Sequence, residues 1–206
     1  DYQRVMDFLA QTFDPDLQSS NWFPSRWEYM HYHPYFDKKN ADKIRIWEAD
    51  GDIVAIVHYE MQLGEAYFEF LPGYEFLKED LFMYALDNLY KTSSEEDKEL
   101  IAFINESEED QGLTDMAVTR MFERLEEFPQ CMSVFDISDN SLDYSLPEGF
   151  SVCSLAVEND LNKVSKVFWR GFNHEGEPDM KQELEDRELM QSAPNFDKRL
   201  NMVVKT

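Results

Sequence analysis

The sequence predicts a mixed α/β fold, a largely antiparallel sheet flanked by helices. Three features carry that prediction. Ile44 to Leu71 holds three short apolar runs, Ile44–Trp47, Ile53–Tyr59 and Ala66–Leu71, rich in β-branched and aromatic residues. Asp50-Gly51 and Leu63-Gly64 separate the runs, and glycine accepts the positive φ that tight hairpin turns need. After Pro72-Gly73, Leu81, Phe82, Ala85, Leu86 and Leu89 recur at helical spacing. An antiparallel meander feeding a helix is the unit around which the rest is arranged.

The other elements follow in chain order. Tyr2, Val5, Met6, Leu9 and Phe13 share one face of a helix over residues 2–13, with Pro15 beyond its end. Pro24 opens a short helix in the aromatic stretch NWFPSRWEYMHYHPYF, whose rings either seal the lower core or line a pocket. TSSEEDKE (92–99) reads as an acidic loop, Leu100–Ile104 as a buried strand and ESEED (106–110) as a second acidic loop. Thr114 serves as an N-cap for a helix carrying Val118, Met121, Phe122 and Leu125, and Met132–Ile137 is a further strand. Ser138–Gly149 is polar and turn-rich, so two units are expected, residues 1–145 and residues 150–206. The second runs strand (from Phe150), helix (161–171), charged helix (179–191) and strand (200–204), restarting the pattern of the first. It has too few strands to bury a sheet, which reads as a truncated piece of a longer protein.

Composition narrows the function. A net charge of -24 on 206 residues disfavours nucleic acid and anionic lipid as partners and favours cationic ligands such as amines. Two cysteines make no disulfide framework and suit a reducing compartment. No apolar run approaches the roughly 20 residues that span a bilayer, and no signal peptide opens the chain, so the expectation is a cytoplasmic protein. Glu28, His31 and His33, with His58 and Glu60 as distant helpers, invite a metal reading. No third or fourth ligand is fixed by spacing, and structural histidines are the preferred reading, with no metal.

The element order, with a strand-to-helix turn at its centre, resembles the GNAT superfamily of acyl-CoA-dependent N-acyltransferases. NWFPSRWEYMHYHPY, HYEMQLGEAYFEF, WRGFNHEGEP and MQSAPNF are similar to segments of two-unit bacterial GNAT proteins. The resemblance covers residues 1–145 as one unit and implies that 150–206 open a second. It implies a fold of GNAT type, acetyl-CoA as co-substrate and acetyl transfer to the amine of a small molecule.

In that family the turn after the fourth strand carries Q/R-x-x-G-x-G/A, whose N–H groups hold the cofactor pyrophosphate. The matching positions here are Glu75, Phe76, Leu77, Lys78, Glu79 and Asp80, so both glycines are lost. Two like unit charges about 5 Å apart at an effective dielectric near 20 repel by roughly 3 kcal/mol, about a hundredfold in affinity. The first unit is therefore expected not to bind the cofactor in the ordinary way. What remains of a cofactor site falls on Phe70, Leu71, Tyr74 and Lys78, with a backbone N–H near Phe70 and Leu71 to polarise a thioester carbonyl. Glu60 is the base expected in the first unit. In the second, His174 and Glu175, in a loop with Asn173 and Glu177, are expected to orient an ammonium group or take its proton. The alternative is a catalytically silent module for ligand binding or assembly. Exposed edge strands near the end of the chain make a homo-oligomer a further expectation.

Overall fold

The computed structural model describes residues 1–13, 22–92, 97–105, 110–126 and 145–205. The chain forms two compact units, Asp1–His31 with Tyr35–Met132, and Tyr32–Pro34 with Ser133–Thr206. The architecture is mixed α/β with a mainly antiparallel sheet. The first unit runs α1 (Tyr2–Gln11), α2 (Pro24–His31), β1 (Arg45–Ala49), β2 (Asp52–His58), β3 (Glu65–Phe70), α3 (Lys78–Asn88), a short ribbon β4 (Lys91–Thr92) and β5 (Lys98–Glu99), β6 (Ile101–Phe103) and α4 (Gln111–Thr119). Its sheet has the order β1-β2-β3-β6. The first three strands are antiparallel neighbours, and β6, reached through α3, lies parallel to β3.

The first hairpin turns at Asp50 (φ 53°) and Gly51 (φ 92°), both in the positive-φ region that suits the right-handed twist of a two-residue hairpin. β2 is buried from Ile53 to His58, which explains why it reads as a continuous apolar run rather than an alternating one. Val5, Phe8 and Leu9 of α1, Trp27 and Met30 of α2, and Leu81, Phe82 and Ala85 of α3 complete one core with it. Truncating Phe82, which stacks near Phe68, removes about 3–5 kcal/mol of packing.

Gly64 joins three elements. Its N–H donates to Leu89 O at the end of α3 (2.7 Å), and its carbonyl accepts from Ile101 N–H at the start of β6 (2.8 Å). At φ 104° a β-carbon would be strained, and it would lie 3.1 Å from the Lys91 side chain.

Several expected boundaries move. The helix expected over residues 2–13 ends at Gln11 and leaves Phe13 exposed, and the stretch 92–99 expected as a loop carries strand residues at Thr92 and at Lys98–Glu99. The helix expected to start at Thr114 starts at Gln111, because the Asp110 carbonyl already accepts from the N–H groups of Leu113 and Thr114. It stops at Thr119, and Met121 (φ 60°) turns the chain away, leaving Met121 and Leu125 exposed instead of on a core stripe. The strand expected at 132–137 and most of the polar stretch 138–149 lie outside the described residues.

The second unit runs β7 (Ser151–Ser154), α5 (Leu161–Gly171), α6 (Met180–Gln191) and β8 (Met202–Lys205). β7 and β8 pair antiparallel, Val152 opposite Val204. Asp160 and Asp179 cap the two helices by accepting from N–H groups of the first turn, Asn162 and Lys163 in one case and Lys181 and Gln182 in the other. A repeat links the units at residue level. Phe36-Asp37-Lys38 and Phe196-Asp197-Lys198 each lie between a helix and a strand, and each aspartate accepts from the N–H two residues on, Lys39 and Arg199.

Candidate functional site

The ladder between β3 and β6 is short. It pairs Glu65 with Ile101, Ala66 with Ala102 and Tyr67 with Phe103. β3 then continues through Phe68, Glu69 and Phe70, still paired with β2 on its other side. Leu71 N–H donates to Val54 O (2.9 Å), so it is spent on the β2 side. Strand N–H groups alternate in direction, and Phe70 N–H therefore points to the side where β6 has ended. Of the two expected donors, Phe70 faces the β6 side, beyond the last described ladder pair, and Leu71 does not.

Glu69 stands beside this N–H and was not singled out from the sequence. It is buried on β3. Burial pushes its carboxyl up to about 8; the Trp22 backbone N–H it accepts pulls the other way, and the nearby Asp110 carboxylate raises it further. Asp110 is buried too. A glutamate one residue from the end of a strand with Phe68 and Phe70 alternating around it is the available signal, since its face of β3 also carries Tyr67, stacked on His58 and packed against Trp22.

The turn from β3 into α3 consumes its own donors. Glu75 Oε1 accepts from Gly73 N–H (2.8 Å), and the same carboxylate accepts from the Glu75 N–H, which holds it below the usual carboxylate range. Tyr74 N–H donates to Leu71 O, Leu77 N–H to Tyr74 O and Lys78 N–H to Glu75 O. A carboxylate of the chain thus takes two N–H groups of this turn, those of Gly73 and Glu75, which would otherwise be open to an external anion. Lys78, the first residue of α3, places its ammonium 5.1 Å from the centre of the Phe70 ring. Tyr74 packs on Phe76, rings 5.8 Å apart. Phe70, Leu71, Tyr74 and Lys78 are therefore gathered at one turn.

Glu60 is elsewhere. It follows β2, near the start of β3, and the five residue steps from Glu65 to Phe70 span roughly 17 Å. Both its oxygens are engaged by Arg26, Nε to Oε1 and Nη2 to Oε2, each 2.7 Å. Arg26 lies over the Trp22 ring, 3.9 Å from its centre. This bidentate, aromatic-backed pair fixes α2 against the end of β2.

Of the candidate histidines, His58 is buried and His31 and His33 are half-buried. His58 is fully buried on β2, its Nδ1 3.0 Å from Tyr59 O, and burial lowers it to about 4, so the neutral ring donates from Nδ1. His31 sits 2.8 Å by Nδ1 from Trp27 O and is also lowered by burial. Glu28 accepts from the Tyr2 hydroxyl (3.1 Å). Among the described residues no group of three or more His, Cys, Asp or Glu side chains is placed to hold a metal ion.

In the second unit, His174 and Glu175 are exposed on the loop after α5. Trp169 shapes this loop: its indole N–H donates to Gly176 O (3.1 Å), its carbonyl accepts from His174 N–H (3.1 Å), and its ring lies 4.6 Å from the His174 ring. Asn173 (φ 56°) and Gly176 (φ 73°) supply the bends. His174 is thus held on Trp169, and Glu175 projects from the bend beside it.

Two clefts of the first unit lie away from the turn. One of about 500 Å³ is lined by Leu86, Tyr90, Lys98, Arg120, Met121 and Phe122; another of about 250 Å³ lies among Tyr2, Trp27, His31 and Ile44. Neither is lined by Phe70 or Glu75. Among the described residues no helix is long and apolar enough to cross a membrane. No family model, no curated protein and no solved structure matches the chain.

Proposed function

We propose that this chain is built on the plan of the GNAT N-acyltransferases, acts in acetyl transfer from acetyl-CoA to the amine of a small molecule, and has a first unit that does not seat the cofactor. The observation that carries the reading is the turn after β3. It joins a strand to a helix, and the Glu75 carboxylate takes the Gly73 and Glu75 N–H groups there. Three antiparallel strands, a helix and a parallel strand whose ladder lasts three residue pairs support the plan. The net charge of -24 supports a cationic acceptor.

The transfer requires a neutral amine. Its nitrogen attacks the thioester carbonyl, the C–S bond breaks, the thiolate leaves, and the ammonium proton passes to a base. Glu69 and Phe70 favour a second reading, in which the first unit itself performs this step with Phe70 N–H at the carbonyl oxygen and Glu69 as base.

Thermal unfolding with and without 1 mM acetyl-CoA separates the two. The chain as it stands is expected to melt unchanged. The variant Glu75→Gln/Lys78→Gly/Asp80→Gly is expected to gain stability with ligand, about 2.7 kcal/mol at a hundred times its Kd. A clear shift in the unaltered chain would overturn the silent first unit and favour the Glu69 reading.

A further inference from the structure

Three buried nitrogens of the first unit find no hydrogen-bond partner among the described residues, and they fall in one cluster of rings: Trp22 Nε1, Trp27 Nε1 and His58 Nε2. Their residues are 4%, 3% and 0% exposed, so bulk solvent does not serve these atoms. His58 stands opposite Tyr67 in the β2–β3 ladder and stacks on it, 5.4 Å between ring centres. Both indoles meet the His58 ring edge-on, Trp22 at 4.8 Å and 74°, Trp27 at 5.5 Å and 84°. Trp22 also packs on Tyr67, 4.3 Å away.

The hydrogen-bonding role of each atom is fixed. An indole N–H can only donate. The neutral His58 ring spends its one proton on Tyr59 O from Nδ1, so Nε2 is an acceptor. Two donors and one acceptor are thus enclosed together, and a buried polar group left unmet costs more than an ordinary hydrogen bond returns.

We infer that one water molecule is bound among these three side chains, accepting from the Trp22 and Trp27 indole N–H groups and donating to His58 Nε2. The count matches, because a water oxygen accepts two hydrogen bonds while its O–H donates, and a buried water typically makes about three bonds. Ring faces could receive the two N–H groups, but that arrangement leaves the Nε2 lone pair unmet. Tyr67 is buried like the other three rings, which leaves no entry for a ligand larger than water. The water joins α2, through Trp27, and the residues before it, through Trp22, to β2. Trp22 then acts at three points. Its backbone N–H donates to Glu69, its ring carries the Arg26 guanidinium at 3.9 Å, and its indole N–H holds the water. The water therefore helps to position the wall that stands between the Glu69 carboxyl and the Arg26–Glu60 pair.

The test is NMR on the 206-residue chain labelled with nitrogen-15. Trp22→Phe and Trp27→Phe assign the two indole N–H signals. Both protons are expected to show cross-relaxation with a long-lived water, of opposite sign in the laboratory and rotating frames. The Trp169 proton, whose indole N–H donates to Gly176 O, is expected to show none. Imidazole nitrogen shifts are expected to place the His58 proton on Nδ1. His58→Phe keeps a ring, removes the acceptor and is expected to abolish the water signal at both indoles; if that variant does not fold, the signals of the unaltered chain decide. A long-lived water at neither indole or at only one would overturn the proposal. So would indole protons moved upfield by ring faces, a His58 proton on Nε2, or a water signal retained in His58→Phe.

Discussion

Glutamine at position 69 should remove the alkaline limb of the stability profile. Glu69 titrates near 8 in the fold against about 4.5 in the unfolded chain. Below 4.5 both states hold the proton, and the buried carboxyl has no pH-dependent cost. Between 4.5 and 8 the native state holds a proton that unfolding releases, so stability falls as pH rises, by about 1.4 kcal/mol per unit. Above 8 the full penalty applies, of order 5 kcal/mol. His58 acts with the opposite sign. Its native value near 4 lies below 6.5, so between those values unfolding takes up a proton and stability rises with pH. The two slopes cancel between 4.5 and 6.5, and only the Glu69 slope remains from 6.5 to 8. The wild-type chain should therefore lose about 2 kcal/mol relative to Glu69→Gln across that interval. Urea unfolding of both proteins at half-unit steps from pH 5 to 8.5 measures the difference directly. Glu65, also raised by burial, contributes equally to both curves and drops out of the comparison. Parallel curves from 6.5 to 8 would show that Glu69 is not the buried acid described here.

Arg26→Ala leaves Glu60 without its bidentate partner and should cost about 2 kcal/mol, whereas Arg26→Met/Glu60→Met should recover much of the loss; chemical denaturation of the three variants checks both. Gly64→Ala forces a β-carbon into a positive-φ position and against Lys91, and a loss of about 1–3 kcal/mol by thermal unfolding is expected. Tyr59→Phe removes the hydroxyl that donates to Asp37 O (2.6 Å) and should cost about 1 kcal/mol, read as a lower urea midpoint at unchanged slope.

The elements of the first unit were legible because their signals are local. Asp50-Gly51 marks a hairpin by backbone chemistry, and the α3 spacing of Leu81, Phe82, Ala85 and Leu89 is helical whatever surrounds it. The start of α4 is not legible because Thr114 is as good a cap as Asp110 in isolation, and only the carbonyl bonding of Asp110 decides between them. The site was less legible for the same reason. Lost glycines at 78 and 80 are visible in one dimension, but the carboxylate that fills the turn is Glu75, which acts through a side chain folding back on its own loop. Glu60 read as an isolated base because its partner, Arg26, lies 34 positions earlier. Glu69 does not stand out in the sequence, since nothing in FEF announces that this face of β3 is sealed by Trp22.

Gly64 ties the last carbonyl of a helix and the first amide of a parallel strand to a single peptide neighbourhood. Fraying of the one cannot proceed far without loosening the other. Under native conditions, the amides at Gly64 and Ile101 should therefore open as one cooperative event with a shared free energy, ahead of global unfolding.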